Sequence, residues 1–379
     1  MAFTRIIMTK HVVVPPLTAE RGSPVPVAGY GQHTLMLDSS DGTAWCWGRN
    51  ENGQCGDGSS IAHYSSPISV VGEHTFQFVA KGDQNNLGID ANGQVWTWGY
   101  NNYGQIGNGT RFLGGVSSPV SILGNLSLTE VAAGQSTVMA LGEDGQVWCW
   151  GQNTGGTCGD NTRTHRSSPV SVHGNHSFVR AELGNAACAL KANGEVWAWG
   201  YGSNGILGNG NTVNQSTPVS VLGGHSFVDI SVSLNHTMCL KADGSCWTWG
   251  RGNFGQLGIN SMENQSSPVS VLGGHSFTTI ASGNFFSLAL EADGSLWAWG
   301  NNQFGMLGIN EDGIDKSRST PVSVLGNRSY IAMAVGTYHC VALDASGTLW
   351  AWGYNGYGEL GLNDRENRSS PVSVVRNFS

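Results

Sequence analysis

Apolar residues along this chain come in short runs, and the runs recur in a fixed order. In one unit, 129–133 (TEVAA) is a β-prone run ending at Gly134, and 137–141 (TVMAL) is a second. Asp144-Gly145 follows, and then 146–150 (QVWCW) as a third. A polar, glycine-rich stretch leads to a fourth run, 167–172 (SSPVSV). Runs of this length, bounded by glycine and by Asp-Gly or Asn-Gly pairs, predict short strands joined by tight hairpins. The pair recurs as Asp41-Gly42, Asn92-Gly93, Asn193-Gly194, Asp243-Gly244 and Asp293-Gly294, with Ser346-Gly347 as a weaker version. A two-residue hairpin turn at such a pair requires φ > 0 at both positions. No segment keeps a helical period over a useful length.

The same unit occurs seven times. All 14 tryptophans fall in copies of Trp-x-Trp-Gly, which end at Gly48, Gly99, Gly151, Gly200, Gly250, Gly300 and Gly353. A period near 50 residues marks a repeat architecture. Four strands in each of seven repeats predict an all-β fold, a closed seven-bladed β-propeller over residues 25–379 preceded by an arm, 1–24. An open solenoid would need polar end caps, and none is visible.

The Ser-Ser/Thr-Pro-Val/Ile-Ser runs at 65–70, 117–122, 167–172, 216–221, 266–271, 319–324 and 369–374 open on proline, which confines them to a sheet edge. Each is expected to form a hairpin with the strand that follows it. The last, 371–375, would then pair with the first blade and lock the ring.

Glycine is abundant, with 56 residues, but at fixed places in each repeat, so it reads as turns and not as low complexity. The net charge of −8, without any run of Lys or Arg, argues against a nucleic-acid partner. No apolar stretch is long enough for a transmembrane helix, and 1–16 (MAFTRIIMTKHVVVPP) makes a poor signal peptide.

After each Trp-x-Trp-Gly a second motif appears, as YGQIG at 103–107, FGQLG at 254–258 and YGELG at 357–361. A unit of Val-Ala-Ala-Gly … Asp-Gly … Trp-Gly-x-Asn-x-x-Gly-Gln-Leu-Gly … Pro resembles the regulator of chromosome condensation (RCC1-like) repeat, in the regular form of bacterial and viral members. The resemblance covers about 350 residues and implies a seven-bladed propeller. The founding member is a nucleotide-exchange factor for a small GTPase that binds chromatin and needs a projecting wedge and a basic arm. Here repeat length varies by only four residues, so no wedge is visible, and the arm holds just Arg5, Lys10 and Arg21 besides His11. The family's plant ultraviolet-B photoreceptor carries a Gly-Trp-Arg-His-Thr motif. Here the nearest equivalent is Gly31-Gln32-His33-Thr34.

Candidate chemistry is sparse. The tryptophans are expected to pack between blades. His74, His176, His225 and His275 hold one turn position in four different blades, too far apart to share an ion, so a turn or rim role is expected rather than a metal site. No nucleophile-elbow sequence occurs, and no catalytic residue, cofactor or metal is assigned. The sixth loop, with Glu311, Asp312 and Asp315, breaks the symmetry and is a candidate interaction site. Cysteine enters the middle of Trp-x-Trp and the fourth place of Gly-Gln-Leu-Gly together, as Cys46 with Cys55 and Cys149 with Cys158. Residues that change together are expected to touch, as a disulfide or as small-residue packing. Ile6, Ile7, Val12, Val13 and Val14 of the arm have nothing local to bury them and are candidate docking residues.

These features predict a non-enzymatic binding or structural propeller that presents the arm and rim loops to a larger assembly. A viral particle component reconciles paired cysteines with the missing signal peptide and places the protein in a virion or at an extracellular surface. The alternative is a regulatory propeller that binds a small GTPase or another protein.

Overall fold

The computed structural model describes residues 24–27, 32–38, 41–111, 114–124, 126–326 and 328–374. They form seven four-stranded antiparallel sheets, each built from four strands consecutive in sequence. In blade 1 these are Pro24–Val27, His33–Asp38, Ala44–Arg49 and His63–Ser69. The first strands of neighbouring blades lie against one another, and the blade 1 strand Pro24–Val27 lies against blade 7, so the ring is closed. Residues 1–23, which hold Ile6, Ile7 and Val12–Val14, lie outside the described residues.

The expected closure by 371–375 is wrong. The last strand, Arg368–Ser373, pairs with Leu349–Gly353 of its own blade, and every fourth strand likewise pairs back onto its Trp-x-Trp-Gly strand. The long loop between them brings the chain back antiparallel, so the short link after the proline run passes to the next blade instead of making a hairpin. Nor does the proline open its strand. Pro169 lies inside Arg166–Ser171, where the register shifts between Cys149 and Gly151. A register shift tolerates a residue that lacks an N–H.

The hairpin turns also differ from expectation. In blade 3 the Gly145 N–H donates to the Gly142 carbonyl at 3.0 Å, and the Gly142 N–H donates to the Gln146 carbonyl at 2.8 Å. This is a three-residue loop, not a two-residue turn. Only the glycine takes positive φ, at 79° in Gly145. The aspartate instead accepts the N–H two residues on, with Gln146 N to Asp144 Oδ1 at 2.9 Å. Asp and Asn both do this, which is why either precedes the glycine.

Apolar cores fill the gaps between blades. Leu35, Leu37 and Cys46 of blade 1 meet Phe76, Val79 and Trp98 of blade 2, and Phe286, Leu288 and Met306 of blade 6 meet Met333 and Trp352 of blade 7.

Candidate functional site

The two Trp positions of each motif play different parts, against the expectation that both are buried. The second indole is fully buried in every blade. Its Nε1–H donates to a backbone carbonyl in the Gly-Gln-Leu-Gly loop of the preceding blade. Trp98 reaches Gln54 at 2.9 Å, Trp150 reaches Gln105 at 2.8 Å, and Trp299 reaches Gln256 at 2.9 Å. Trp47 reaches Glu359 of blade 7 at 3.0 Å, so this clasp also closes the ring. The last glycine of the loop faces the indole, and a Cβ on Gly56 would lie 2.8 Å from Trp98 Nε1. The co-occurrence of the two motifs in each repeat was the sequence signal for this contact.

The ring has two faces of unlike chemistry. The links between first and second strands, and the long loops between third and fourth, make one, the loop face. Three positions on it change from blade to blade, and in blades 5 to 7 and 1 they bring aromatic rings and arginines together. Phe254 meets Phe285 at 5.2 Å, and Arg251 lies over Phe285 at 5.2 Å. Phe304 meets Tyr338 at 5.6 Å and Tyr354 at 4.9 Å, and Tyr354 meets Tyr357 at 6.4 Å. Arg49 then lies over Tyr357 at 5.8 Å. All of these side chains are half-buried.

Beneath this face, at the seam of blades 7, 1 and 2, the interior is polar. The Thr34 hydroxyl donates to the Glu359 carbonyl at 2.8 Å and lies 3.2 Å from His339 Nε2. His33 Nε2 is 3.0 Å from Asn86 Oδ1. Lys81 is buried beside them, where other repeats carry Ala133, Leu183 or Val335. Burial pushes the Lys81 ammonium down to about 7, against the pull of Asp83. Burial, helped by Lys81, lowers His339 to about 3. Burial lowers His33 strongly and raises Glu359 to about 7. Another cation, Arg180, is half-buried toward the hairpin end of its blade, opposite Leu190, and is 2.6 Å from Asp229 and 3.8 Å from both Glu130 and Glu182. Burial opposes its charge, but the three carboxylates outweigh that and hold its pKa above the usual value.

The hairpin loops and the blade-to-blade links form the opposite, hairpin face. Among the described residues it carries eleven carboxylates: Asp38, Asp41, Glu73, Asp90, Glu143, Asp144, Glu195, Asp243, Glu291, Asp293 and Asp344. The described Lys and Arg of these hairpins and links are Lys191, Lys241 and Arg328, while Arg180 lies behind them in the first strands among Glu130, Glu182 and Asp229. The loop face holds eleven carboxylates and nine Lys and Arg. The first Trp of each motif reaches the hairpin face half-exposed. His74, His176, His225 and His275 pack on Trp96, Trp197, Trp247 and Trp297 at 4.1 to 4.5 Å. This is the rim role expected of those histidines.

The structure brings both cysteine pairs together. Cys46 and Cys55 are buried with Sγ atoms 2.7 Å apart, and Cys149, its thiol pushed up by burial, hydrogen-bonds Cys158. In the sixth loop, Glu311 pairs with Arg318 at 2.6 Å and Asp315 with Lys316 at 3.2 Å, while Asp312 is exposed. No group of three or more His, Cys, Asp or Glu among the described residues is placed to hold a metal. His236 lies between Ser233 and Ser287, at 2.9 and 2.8 Å, but all three are fully buried and tie blade 5 to blade 6.

Residues 116–379 match the RCC1-like domain family, and 27–54, 77–105 and 41–88 match the regulator of chromosome condensation (RCC1) repeat. Human E3 ubiquitin-protein ligase HERC2 is 32% identical over 142 residues, 36% of this chain and 3% of that protein. The Arabidopsis thaliana ultraviolet-B receptor UVR8 is 30% identical over 149 residues, 39% of this chain and 34% of the receptor. The alignments thus span about a third or less of each relative. Among solved structures, human WBSCR16 superimposes with a TM-score of 0.78 at 20% identity, covering 88% of this chain and 95% of that one. Yeast RCC1 (Prp20), solved with Kap60, gives 0.78 at 21% identity, covering 92% and 85%. Those likenesses establish the fold, and none of these relatives is named as a particle component. With the family matched over more than half its length, all seven repeats in place and the ring closed, the chain belongs to the RCC1-like domain family of seven-bladed propellers.

Proposed function

We propose that this protein is a regulatory propeller that binds a folded protein partner through its loop face. The supporting observation is the arc from Arg251 and Phe254 through Phe285, Phe304, Tyr338 and Tyr354 to Tyr357 and Arg49. Aromatic and arginine side chains are the residues enriched where protein interfaces hold most of their affinity. Here they are half-buried, so little rotamer freedom is lost on docking. The relatives fit this reading, since one yeast structure is of RCC1 (Prp20) bound by Kap60 and another concerns Prp20p binding to Gsp1p and histones. Assembly into a particle, the first expectation from sequence, has no such support. Nucleotide exchange on a small GTPase is a narrower form of the same reading. Against it, every sheet has four strands, and the described residues include no inserted wedge.

Residues 1–23 serve as a second attachment in this proposal, through Ile6, Ile7 and Val12–Val14, and Glu311, Asp312 and Asp315 lie at the rim of the same face. Affinity capture with the wild type and with the F285A/Y338A/Y354A variant tests the main reading. Proteins retained by the wild type should be lost from the variant while the melting temperature stays within a few degrees. Equal retention by both would refute it.

A further inference from the structure

We infer that the hairpin face, opposite the aromatic arc, is a docking surface for a Lys/Arg-rich chain segment of a partner. Its imbalance of eleven carboxylates to three cations is eight negative charges, equal to the formal net charge of the whole chain. The loop face is near balance, so the sign belongs to one side of the ring and not to the surface at large.

The arrangement of the charge selects the ligand. The carboxylates are spread one or two to a blade over the hairpins and, for Glu73, a blade-to-blade link, and no three of them converge as a metal ion would require. A ring of separated charges is matched by a ligand with several separated positive charges. Nucleic acid and anionic lipid have the wrong sign.

The half-exposed tryptophans supply a second, independent indication. The face's own cations lie over three of them. Lys191 lies 4.3 Å over Trp197, Lys241 lies 4.2 Å over Trp247, and Arg328 lies 3.7 Å over Trp350. Carboxylates hold the indole edges: Asp90 accepts from Trp96 Nε1 at 2.9 Å, Glu291 from Trp297 at 3.1 Å, and Asp344 from Trp350 at 2.8 Å. An indole face with a carboxylate at its edge offers a cation both a quadrupole and a counter-charge. Trp350 combines both in cis, with Arg328 over its face and Asp344 at its edge, which is the contact that a partner's Lys or Arg would make.

The test uses a fluorescein-labelled (Lys-Arg-Ser-Gly)4 peptide, with (Glu-Asp-Ser-Gly)4 as control, and anisotropy at about 50 and 200 mM salt, across which exposed charges become screened. The D41N/D144N/D243N/D293N variant removes four charges but keeps the hairpins, because Asn92 and Asn193 hold the same place in blades 2 and 4. The E311Q/D312N/D315N variant removes three charges from the opposite face. The wild type should bind the basic peptide and not the acidic one, more weakly at high salt. The hairpin variant should lose on the order of tenfold in affinity. The loop-face variant should change less than about twofold. No binding at low salt, binding of the acidic peptide, or equal losses in the two variants would each overturn the inference. None of those results bears on the loop-face arc, whose test is separate.

Discussion

On the loop face nine cations stand among eleven carboxylates, and aromatic rings from blades 5 to 7 run together into one arc. On the hairpin face three cations stand among eleven carboxylates, and the tryptophans stay apart, one to a blade. The same seven repeats build both. The difference lies in which repeat positions vary. The residue after Trp-x-Trp-Gly is Arg49, Tyr100, Gln152, Tyr201, Arg251, Asn301 or Tyr354, so the loop face differs around the ring and can suit one particular surface. The Asp/Asn-Gly turn and the first Trp hardly change, so the hairpin face presents one motif many times and suits a repetitive, multivalent ligand.

Both faces depend on an intact ring, and breaking it should have the largest effect. Trp47→Ala removes the indole that closes blade 1 onto Glu359 and leaves a cavity, with an expected loss of about 3–5 kcal/mol. Trp45→Ala, at the half-exposed place two residues earlier, should cost clearly less in the same denaturation experiment. If the two cost the same, the division of labour within Trp-x-Trp is wrong.

Next come the cysteine pairs, which sit behind the loop face only. Cys46 and Cys55, and likewise Cys149 and Cys158, are proposed to form disulfides under oxidising conditions. Each would close a loop of about ten residues and stabilise by roughly 2–3 kcal/mol at most. Alkylation and mass analysis of the oxidised protein should find both pairs protected. If all eight thiols stay titratable after oxidation and unfolding, the contact is packing alone.

The polar seam under the loop face should make stability pH-dependent. His339, lowered to about 3, stays neutral in the folded ring while its unfolded counterpart gains a proton below about pH 6.5. Stability should therefore fall as pH drops from about 6.5 toward 3, by up to about 1.4 kcal/mol per pH unit for this ring, with His33 acting in the same direction. His339→Asn should flatten the profile over that window. An unchanged slope would remove His339 from the account.

The smallest effect belongs to the hairpin face. Glu73 has φ of 51° at a link where Gly224 and Gly274 stand in blades 5 and 6, at 56° and 64°. Glu73→Gly should stabilise by about 1 kcal/mol through relief of left-handed strain. A loss of stability would mean that the side chain contributes more than its backbone costs.

The sevenfold ring was legible because the Trp-x-Trp-Gly, Asp-Gly and proline positions recur with one period. The cysteine contacts were legible because both positions change together. Strand pairing was not: proline says that a strand lies at an edge, but not which neighbour it meets, so the pattern alone points 371–375 to the wrong blade. The turn type was not legible, because Asp and Asn satisfy an N–H with the side chain and leave only glycine at positive φ. The arc and the acidic face were invisible for another reason. Each is assembled from single residues about 50 apart, and their side of the ring is known only once the strand order is known.

The most direct test of two unlike faces is a crossed binding experiment. Wild type, the loop-face F285A/Y338A/Y354A variant and the hairpin-face D41N/D144N/D243N/D293N variant are each assayed for captured protein partners and for the basic peptide. The account predicts that the first variant loses the partners and keeps the peptide, and that the second keeps the partners and loses the peptide. Parallel loss of both ligands in either variant, with the ring still folded, would contradict it.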